Sequence, residues 1–192
     1  FDELRGAINS GATDAHLTSV WRQFFNNMDG SSEAALDQHI ASLQRQIRDN
    51  GVTYNVYADA EGPQRPWSLD LFPLIVDAPD WAHIEAGVQQ RMQLLEAVMA
   101  DVYGPQQLLQ RGLLPPALVH GHPGYLRPMA GVQPVGGVHL HVAAFDLARG
   151  PDGNWWVVSQ RCQAPSGLGY LLENRLAVSR QFPQAFQALK VQ

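Results

Sequence analysis

In the first fifty positions, apolar residues recur every three or four residues, which is typical of helices buried on one side. Two such stripes follow one another: Leu17, Val20, Trp21, Phe24, Phe25 and Met28, then Leu36, Ile40, Leu43 and Ile47. Asp14 can cap the first helix, a polar link at residues 29–32 separates the two, and Asn50-Gly51 is a helix-ending pair. The pattern therefore predicts an antiparallel helical pair over residues 1–50.

After residue 51 the period of the pattern changes. Val52–Tyr57 alternates between apolar and polar residues, which predicts a half-buried strand. A helical period then returns, and Asp80 can cap a long helix that runs to Tyr103, where Gly104-Pro105 ends it. One strand and one long helix are therefore expected in the middle of the chain.

The most regular alternation lies at Val138–Arg149, which predicts a second strand. Gly150-Pro151-Asp152-Gly153 is a typical hairpin turn, and the apolar run Asn154–Ser159 is the expected partner strand. A polar, glycine-rich turn follows, and helical spacing begins at Tyr170. This stretch predicts a strand, a turn and a helix in close succession.

Together these elements predict an α+β fold. An N-terminal helical pair precedes a mixed or antiparallel sheet, and helices flank that sheet. We expect residues 1–50 to form a helical annex and residues 51–192 to form the α+β core.

Composition narrows the class of protein. The 192 residues are 45% hydrophobic and 16% charged with a net charge of −5, which indicates a globular chain without the basic surface of a nucleic-acid binder. No apolar run approaches the ~20 residues that span a bilayer, so no membrane partner is expected. The single cysteine, Cys162, excludes an internal disulfide and fits a reducing cytoplasm. Because the first residue is Phe1 rather than Met, we expect the chain to be part of a longer protein.

The turn before the last long helix could bind an anion, because a glycine-rich turn can point free backbone N–H groups at a ligand. Ser166 and Gly167 would allow a ligand to approach the backbone, and Arg175 would add positive charge if it folds back. On spacing alone, a solvated loop before a capped helix is the better explanation of the same residues.

The same stretch carries a resemblance. Residues 164–175 read Ala-Pro-Ser-Gly-Leu-Gly-Tyr-Leu-Leu-Glu-Asn-Arg, and further motifs precede them in order: Phe1-Asp2-Glu3-Leu4, Asn50-Gly51-Val52-Thr53-Tyr54, Asp101-Val102-Tyr103-Gly104-Pro105, Gly121-His122-Pro123-Gly124-Tyr125-Leu126-Arg127-Pro128 and Pro151-Asp152-Gly153. This series resembles the circularly permuted type 2 ATP-grasp family, which is related to glutathionylspermidine synthetase. The resemblance covers nearly the whole chain.

The resemblance implies that the intact protein uses ATP and Mg²⁺ to activate a small-molecule carboxylate and join it to an amine. It also implies that nucleotide-binding lysines lie beyond residue 192. We therefore expect the isolated chain to be inactive and its main partner to be the missing C-terminal part of its own protein. Catalytic residues are not assigned.

The resemblance also implies site residues. Those expected to bind the nucleotide are Arg127, Ser166, Gly167, Asn174 and Arg175. The oxygen ligands expected for Mg²⁺ are Asp146 and Glu173.

One departure from the family pattern favours a second hypothesis. Catalytic relatives have an acid-x-Asn pattern just before Pro-Ser-Gly, whereas this chain has Ser159-Gln160-Arg161. Arg161 carries the wrong charge for a metal ligand. The alternative is a non-catalytic binding or scaffold module that is derived from the ATP-grasp fold and has lost its metal ligands.

Four histidines form two His-x-His pairs, His120/His122 and His139/His141. On a strand, residues i and i+2 share a face, so His139 and His141 could approach one metal from one side. A zinc site needs three or four converging ligands, however, so we do not expect zinc at these pairs.

Overall fold

The structure is a computed structural model that describes residues 1–6, 17–28, 32–54 and 65–191. The predicted cap at Asp14 and the predicted strand beyond Tyr54 lie outside the described residues. The chain divides into two compact units. Unit 1 comprises Phe1–Asp77, Arg149–Asn154 and Gly167–Gln192, and unit 2 comprises Ala78–Ala148 and Trp155–Ser166.

The described elements come in runs of helices separated by pairs of short strands, as expected for an α+β fold. In chain order they are α1 (Ser19–Asn26), α2 (Glu33–Asp49), β1 (Thr53–Tyr54), β2 (Arg65–Pro66), α3 (Ala78–Tyr103), α4 (Gln107–Gln110), α5 (Pro116–His120), β3 (Ala144–Arg149), β4 (Trp155–Arg161), α6 (Leu168–Gln181) and α7 (Pro183–Leu189). Short 3₁₀ turns occupy Arg127–Met129 and Val135–Gly137.

Helices α1 and α2 lie along the two apolar stripes of the sequence, but α1 begins only at Ser19, after Thr18, so Leu17 precedes the helix and Met28 follows it. Ser32 caps α2 by accepting a hydrogen bond from the backbone N–H of Ala35 at 3.3 Å. The two helices contribute to one hydrophobic core, but each packs most extensively on a C-terminal helix: α1 on α7 and α2 on α6. The first and last parts of the chain therefore fold together in unit 1.

The core of unit 1 is largely aromatic. Phe24 is 1% exposed, and its ring contacts those of Trp21, Phe25, Phe72 and Phe182 at centroid distances of 5.1 to 6.2 Å. These contacts are edge-to-face, the geometry that the ring quadrupole favours. The buried members of the core are Trp21, Phe24, Leu43, Ile47, Leu71, Ala177, Val178, Phe182 and Ala185.

The long helix of unit 2, α3, has 26 residues and begins at Ala78, two residues before the predicted cap. Asp80 therefore lies in the first helical turn rather than at the cap, and its charge still faces the positive end of the helix dipole. In the last turn of α3, the Asp101 carboxylate accepts the backbone N–H groups of Gln107 at 2.8 Å and Leu108 at 2.9 Å, which starts α4.

Gly87 lies in the middle of α3, where glycine costs about 1 kcal/mol relative to alanine. A Cβ atom built on Gly87 would meet no atom within 4 Å, so packing does not require a glycine here. The helix also carries charged residues along its length. Among the described residues, no helix combines the length and the apolar character that crossing a bilayer requires.

In the part of the chain that the structure describes, the strands form two separate two-stranded sheets. Strands β1 and β2 are antiparallel, with Thr53 opposite Pro66 and Tyr54 opposite Arg65. Strands β3 and β4 form the predicted hairpin, whose turn is closed by hydrogen bonds from Gly150 N–H to the Asn154 carbonyl and from Gly153 N–H to the Gly150 carbonyl. The hairpin prediction is confirmed.

The strand predicted from Val138 begins only at Ala144, and the prediction is wrong for the six residues before it. The Glu96 carboxylate of α3 accepts the backbone N–H groups of His139, at 2.9 and 3.1 Å, and of Leu140, at 2.8 Å. These two N–H groups cannot then join a strand ladder. His139 and His141 consequently do not share a strand face, which removes the geometry suggested for a metal at that pair.

Candidate functional site

The glycine-rich turn leads into α6, which begins at Leu168, two residues before the predicted start at Tyr170. Gly167 precedes the helix with φ of +117°, a backbone conformation that residues with a side chain rarely adopt. Its carbonyl accepts the N–H of Leu171 at 3.0 Å, which opens the helix. Gly167 belongs to unit 1, whereas the preceding Ser166 is exposed and belongs to unit 2.

Two side chains of the Glu-Asn-Arg motif link α6 to the N-terminal part of unit 1. Glu173 Oε2 accepts a hydrogen bond from Asn50 Nδ2 at 3.0 Å, and Asn174 Oδ1 accepts one from Trp67 Nε1 at 2.8 Å. The Trp67 ring also stacks on Tyr170, with centroids 4.6 Å apart. These contacts join residues 123 and 107 positions apart, so both motif residues contribute to the tertiary structure of unit 1.

Arg175, the third residue of that motif, lines an open pocket of about 400 Å³ in unit 1 together with Asn174. Its Nη2 lies 3.4 Å from the Val191 carbonyl oxygen. Ser68 and Asp70 add a hydroxyl and a carboxylate to the lining, and apolar side chains form much of the rest. The pocket therefore offers one guanidinium, one carboxylate and two neutral polar groups to a small polar ligand.

Ser68 and Asp70 were not among the residues predicted for a site. They lie in a segment whose sequence is notable only for its apolar residues and for Pro73. They reach the pocket because the core of unit 1 places this segment beside α6, and Leu71 is buried in that core. No motif in the sequence signals this placement.

In unit 2, Asp146 of β3 faces two side chains of β4. Arg161 donates from Nη1 to Asp146 Oδ2 at 2.7 Å and from Nη2 to Oδ1 at 2.9 Å, and the Ser159 hydroxyl also donates to Oδ2. Ser159 and Arg161 share a face of β4 because they are two residues apart. Hydrogen bonds hold the pKa of Asp146 below its ordinary value, and those from Arg161 have a larger effect than the one from Ser159.

This arrangement bears on the metal that the family resemblance implies. Both carboxylate oxygens of Asp146 face a guanidinium, whose positive charge disfavours a second cation at the same place. In the described part of the chain, no group of three or more His, Cys, Asp or Glu side chains is arranged to hold a metal ion. The donor set around Asp146 therefore does not fit Mg²⁺.

Arg127 lies in an exposed 3₁₀ turn of unit 2. The loop before it is held against the end of α3: Tyr125 stacks on Tyr103 with centroids 5.2 Å apart, and Leu126 N–H donates to Tyr103 Oη at 3.1 Å. Gln106 Nε2 also donates to Tyr125 Oη at 3.3 Å. The Pro-rich loop that carries Arg127 is therefore fixed by aromatic and polar contacts to one helix end.

One histidine of each pair makes a side-chain polar contact in the described structure. His122 Nδ1 accepts the N–H of Gly124 at 3.0 Å, and His139 Nδ1 lies 2.8 Å from Glu96 Oε1. Burial raises the pKa of Glu96, but the hydrogen bonds from His139 and Leu140 outweigh burial, and the net pKa lies below the ordinary value. Glu96 is thus an ionised group that holds the segment before β3.

The seven predicted site residues fall into two sets. Unit 1 contains Gly167, Glu173, Asn174 and Arg175, and unit 2 contains Arg127, Asp146 and Ser166. Within unit 1, Asn174 and Arg175 meet at one pocket, whereas Glu173 bonds to Asn50 and is not among the residues lining that pocket.

Comparison with known proteins yields a family and a set of relatives. Residues 73–192, more than half of the chain, match the family model described as circularly permuted ATP-grasp type 2. An uncharacterized protein of Synechocystis is 35% identical over 161 residues, covering 84% of this chain and 34% of the relative. An uncharacterized protein of Mycobacterium tuberculosis is 35% identical over 184 residues, covering 92% of this chain and 21% of the relative.

A third relative, an uncharacterized protein of Mycobacterium leprae, is 33% identical over 176 residues, covering 92% of this chain and 31% of the relative. The chain thus spans between about a fifth and a third of the length of these relatives.

Proposed function

Because the chain belongs to the circularly permuted type 2 ATP-grasp family, we propose that it is the N-terminal part of an ATP-dependent carboxylate–amine ligase. The observation that carries this proposal is the family match over residues 73–192, which includes the whole Pro-Ser-Gly to Glu-Asn-Arg signature. The carboxylate and the amine are small molecules in this proposal. A cytoplasmic location is also part of it, supported by the lone cysteine Cys162.

In this proposal, ATP transfers a phosphoryl group to the carboxylate and leaves as ADP, and the amine then attacks the acyl phosphate and displaces inorganic phosphate. Arg175 of unit 1 suits the binding of phosphate or carboxylate oxygens, because its planar guanidinium can donate two parallel hydrogen bonds. Asn174 is its neighbour in the pocket, and Gly167 leaves open space beside the start of α6. The family resemblance also assigns Arg127 and Ser166, both in unit 2, to nucleotide binding.

The remaining part of the longer protein is the main partner in this proposal. It would supply the nucleotide-binding lysines and the ligands for Mg²⁺, since Asp146 is already paired with Arg161 in this chain. The role of Glu173 would then be to hold α6 against Asn50 rather than to bind a metal.

The second candidate function is a non-catalytic binding or scaffold module. The specific observation that favours it is the Arg161–Asp146 pair, which places an internal cation where the ligase hypothesis puts a metal ligand. A module of this kind would keep the fold and its pockets without phosphoryl transfer.

An assay of ADP release by the full-length protein distinguishes the two candidates. Purified protein with ATP and Mg²⁺ is screened against a panel of carboxylates and amines. A ligase releases ADP only when both substrates are present, and Arg175→Gln lowers that rate by about tenfold to a hundredfold, as expected for one lost charge-assisted interaction. Arg180→Gln, on the same helix, is the matched control.

A folded full-length protein that releases no ADP with any pair contradicts the ligase proposal, and an active protein whose Arg175→Gln variant matches the Arg180→Gln control contradicts the role given to Arg175. The isolated chain gives a further test. We expect calorimetry with ATP and Mg²⁺ to show a dissociation constant weaker than micromolar, because the lysines implied by the family lie outside it. A micromolar constant would show that the missing part is not needed for nucleotide binding.

A further inference from the structure

Helix α6 of unit 1 carries all of its leucines on the outside. They lie at positions i, i+3, i+4 and i+8 of the helix, so they share one face. Each is between 40% and 70% exposed, and the four are Leu168, Leu171, Leu172 and Leu176. We call this surface the leucine face. A contiguous exposed apolar surface of this kind marks a place where another surface packs.

The opposite face of α6 packs on the core of unit 1, and it includes a buried amide. Gln181 is 7% exposed, its Oε1 lies 3.2 Å from His39 Nδ1, and its Nε2 donates to Ser42 Oγ at 3.3 Å. The other buried residues of the helix, Ala177 and Val178, have small apolar side chains. The helix thus inverts the usual arrangement, in which leucines are buried and amides face water.

Helix α2, which packs on α6, has the usual arrangement. It buries Leu43 and Ile47 and exposes polar side chains, Gln44, Arg45 and Arg48 among them. The two helices belong to the same unit and share one core, yet only α6 presents a row of leucines to solvent. Since exposed leucines are unfavourable in water, the inversion in α6 indicates that a second surface covers the leucine face.

The length of the relatives favours one partner for this face. Three relatives align with 84% or more of this chain, which accounts for only about a fifth to a third of their own length. A segment of the same polypeptide is present at a high effective concentration, so it can dock on a small surface. Four leucines supply less area than the roughly 800 Å² per partner that a stable dimer buries, so a second copy fits this face less well.

We propose that the leucine face of α6 is the docking surface for the remaining part of the longer protein, which covers it with an apolar surface of its own. Leu171 lies one helical turn before Arg175, so the face borders the pocket that Arg175 lines. The docked part would therefore stand beside that pocket. The proposal rests on the proposed function only in taking this chain as one part of a longer protein, and it requires no catalysis.

The first test measures whether the leucine face is covered in the full-length protein. The reaction of Leu171→Cys with N-ethylmaleimide is followed by mass spectrometry of the labelled peptide, which distinguishes it from other cysteines. It should react at least about tenfold more slowly than Gln44→Cys, at an exposed position of α2, because a packed side chain reacts only when its contacts open. Ala177→Cys, on the buried face of α6, gives the rate of a fully covered position.

The second test identifies what covers the face. The photoreactive residue p-benzoylphenylalanine replaces Leu171 in the full-length protein, and irradiation should crosslink it to a peptide beyond residue 192. The product should keep the mass of a single chain. The same residue in place of Gln44 is the matched control and should give much less of this crosslink. Neither test measures activity, so a protein that releases no ADP can still give both expected results.

Three results would overturn the proposal. If Leu171→Cys reacts as fast as Gln44→Cys, the leucine face is open to solvent in the whole protein. If the crosslinks from position 171 stay within residues 1–192, this chain covers its own leucines. If the crosslinked product has the mass of two chains, the partner is a second copy.

Discussion

Unit 1 and unit 2 are each stabilised internally by a different kind of interaction. The buried hydrophobic cluster lies entirely in unit 1, where aromatic rings from α1 and the C-terminal helices meet around Phe24. In the described part of unit 2, the buried apolar residues are Ile84, Val102 and Val119, which do not join that cluster. Unit 2 also leaves large apolar side chains such as Leu94, Leu113, Leu118 and Val135 exposed.

In unit 2, hydrogen bonds to carboxylates connect the elements instead. Glu96 accepts two backbone N–H groups from the segment before β3, Asp101 accepts two from the start of α4, and Asp146 joins the two strands of the hairpin. One chain is thus stabilised in one region by the packing of buried side chains and in another by hydrogen bonds to ionised carboxylates. The two regions should therefore respond to different perturbations.

The largest effect is expected from Phe24→Ala in unit 1. Removing a fully buried aromatic ring typically costs 3–5 kcal/mol, so the free energy of unfolding should fall by about 4 kcal/mol. Denaturant unfolding, followed by circular dichroism and by hydrogen exchange in α1, measures the change. Phe72→Ala is the matched control, since Phe72 touches the same rings but is 39% exposed and should cost less. Equal losses from the two variants would contradict an ordered aromatic core.

The corresponding change in unit 2 is Glu96→Ala. It leaves the N–H groups of His139 and Leu140 without their acceptor, which should cost about 1–3 kcal/mol locally. Hydrogen exchange at these two amides should accelerate, while amides in α1 keep their protection. Glu85→Ala, on the same helix but bonded only to Gln89 in the described structure, should leave them unchanged. Unaltered exchange at His139 and Leu140 would refute the role given to Glu96.

Acid should weaken unit 2 by a smaller amount. The folded-state pKa of Glu96 lies below its ordinary value of 4.5, so the folded protein holds this proton less tightly than the unfolded chain does. Its contribution is therefore complete above pH 4.5 and is lost as the pH falls through the lowered folded-state pKa. The protection factor of the Leu140 amide, which corrects for the intrinsic pH dependence of exchange, should fall between pH 6 and pH 3. Glu96→Gln, which cannot titrate, should show a flatter dependence of Leu140 protection on pH. An identical pH dependence in the variant and the unmodified chain would show that protonation of Glu96 is not the cause.

The smallest effect on stability is expected from Arg161→Gln. Both partners of the Arg161–Asp146 pair are exposed to solvent, and exposed ion pairs contribute little to stability. The pKa of Asp146 should nevertheless rise toward its ordinary value, because its main stabilising partner is lost. NMR titration of the Asp146 carboxyl carbon measures this, and Arg127→Gln serves as the control. An unchanged pKa of Asp146 would show that the guanidinium does not act on it in solution.

Elements with a strong local period could be predicted from the sequence. The stripes of α1, α2 and α3 were recognisable because burial on one side imposes a spacing of three or four residues. The β3–β4 hairpin was predicted because its turn sequence is distinctive. The helix starts were misplaced by two residues, at Ala78 and Leu168, because the cap is a local geometry that several neighbouring residues could supply.

Long-range contacts could not be predicted in this way. Residues 138–143 alternate as a strand would, yet a carboxylate 43 residues earlier takes the N–H group of His139. In the same way, nothing near Ser68 or Asp70 in sequence indicates that they share a pocket with Arg175. Of the predicted site, the pocket contains Asn174 and Arg175, which were chosen by motif rather than by position in the fold.

Unit 1 is built from segments at both ends of the chain, which delays its folding during synthesis. Its first helices need α6 and α7 to cover their apolar faces, and unit 2 is made in between. Roughly 160 residues separate α1 from the end of α7, which a ribosome adds in roughly 10–30 seconds. During that interval Phe24 lacks its late partner Phe182, so the apolar faces of α1 and α2 that α6 and α7 cover stay exposed until the last helix emerges.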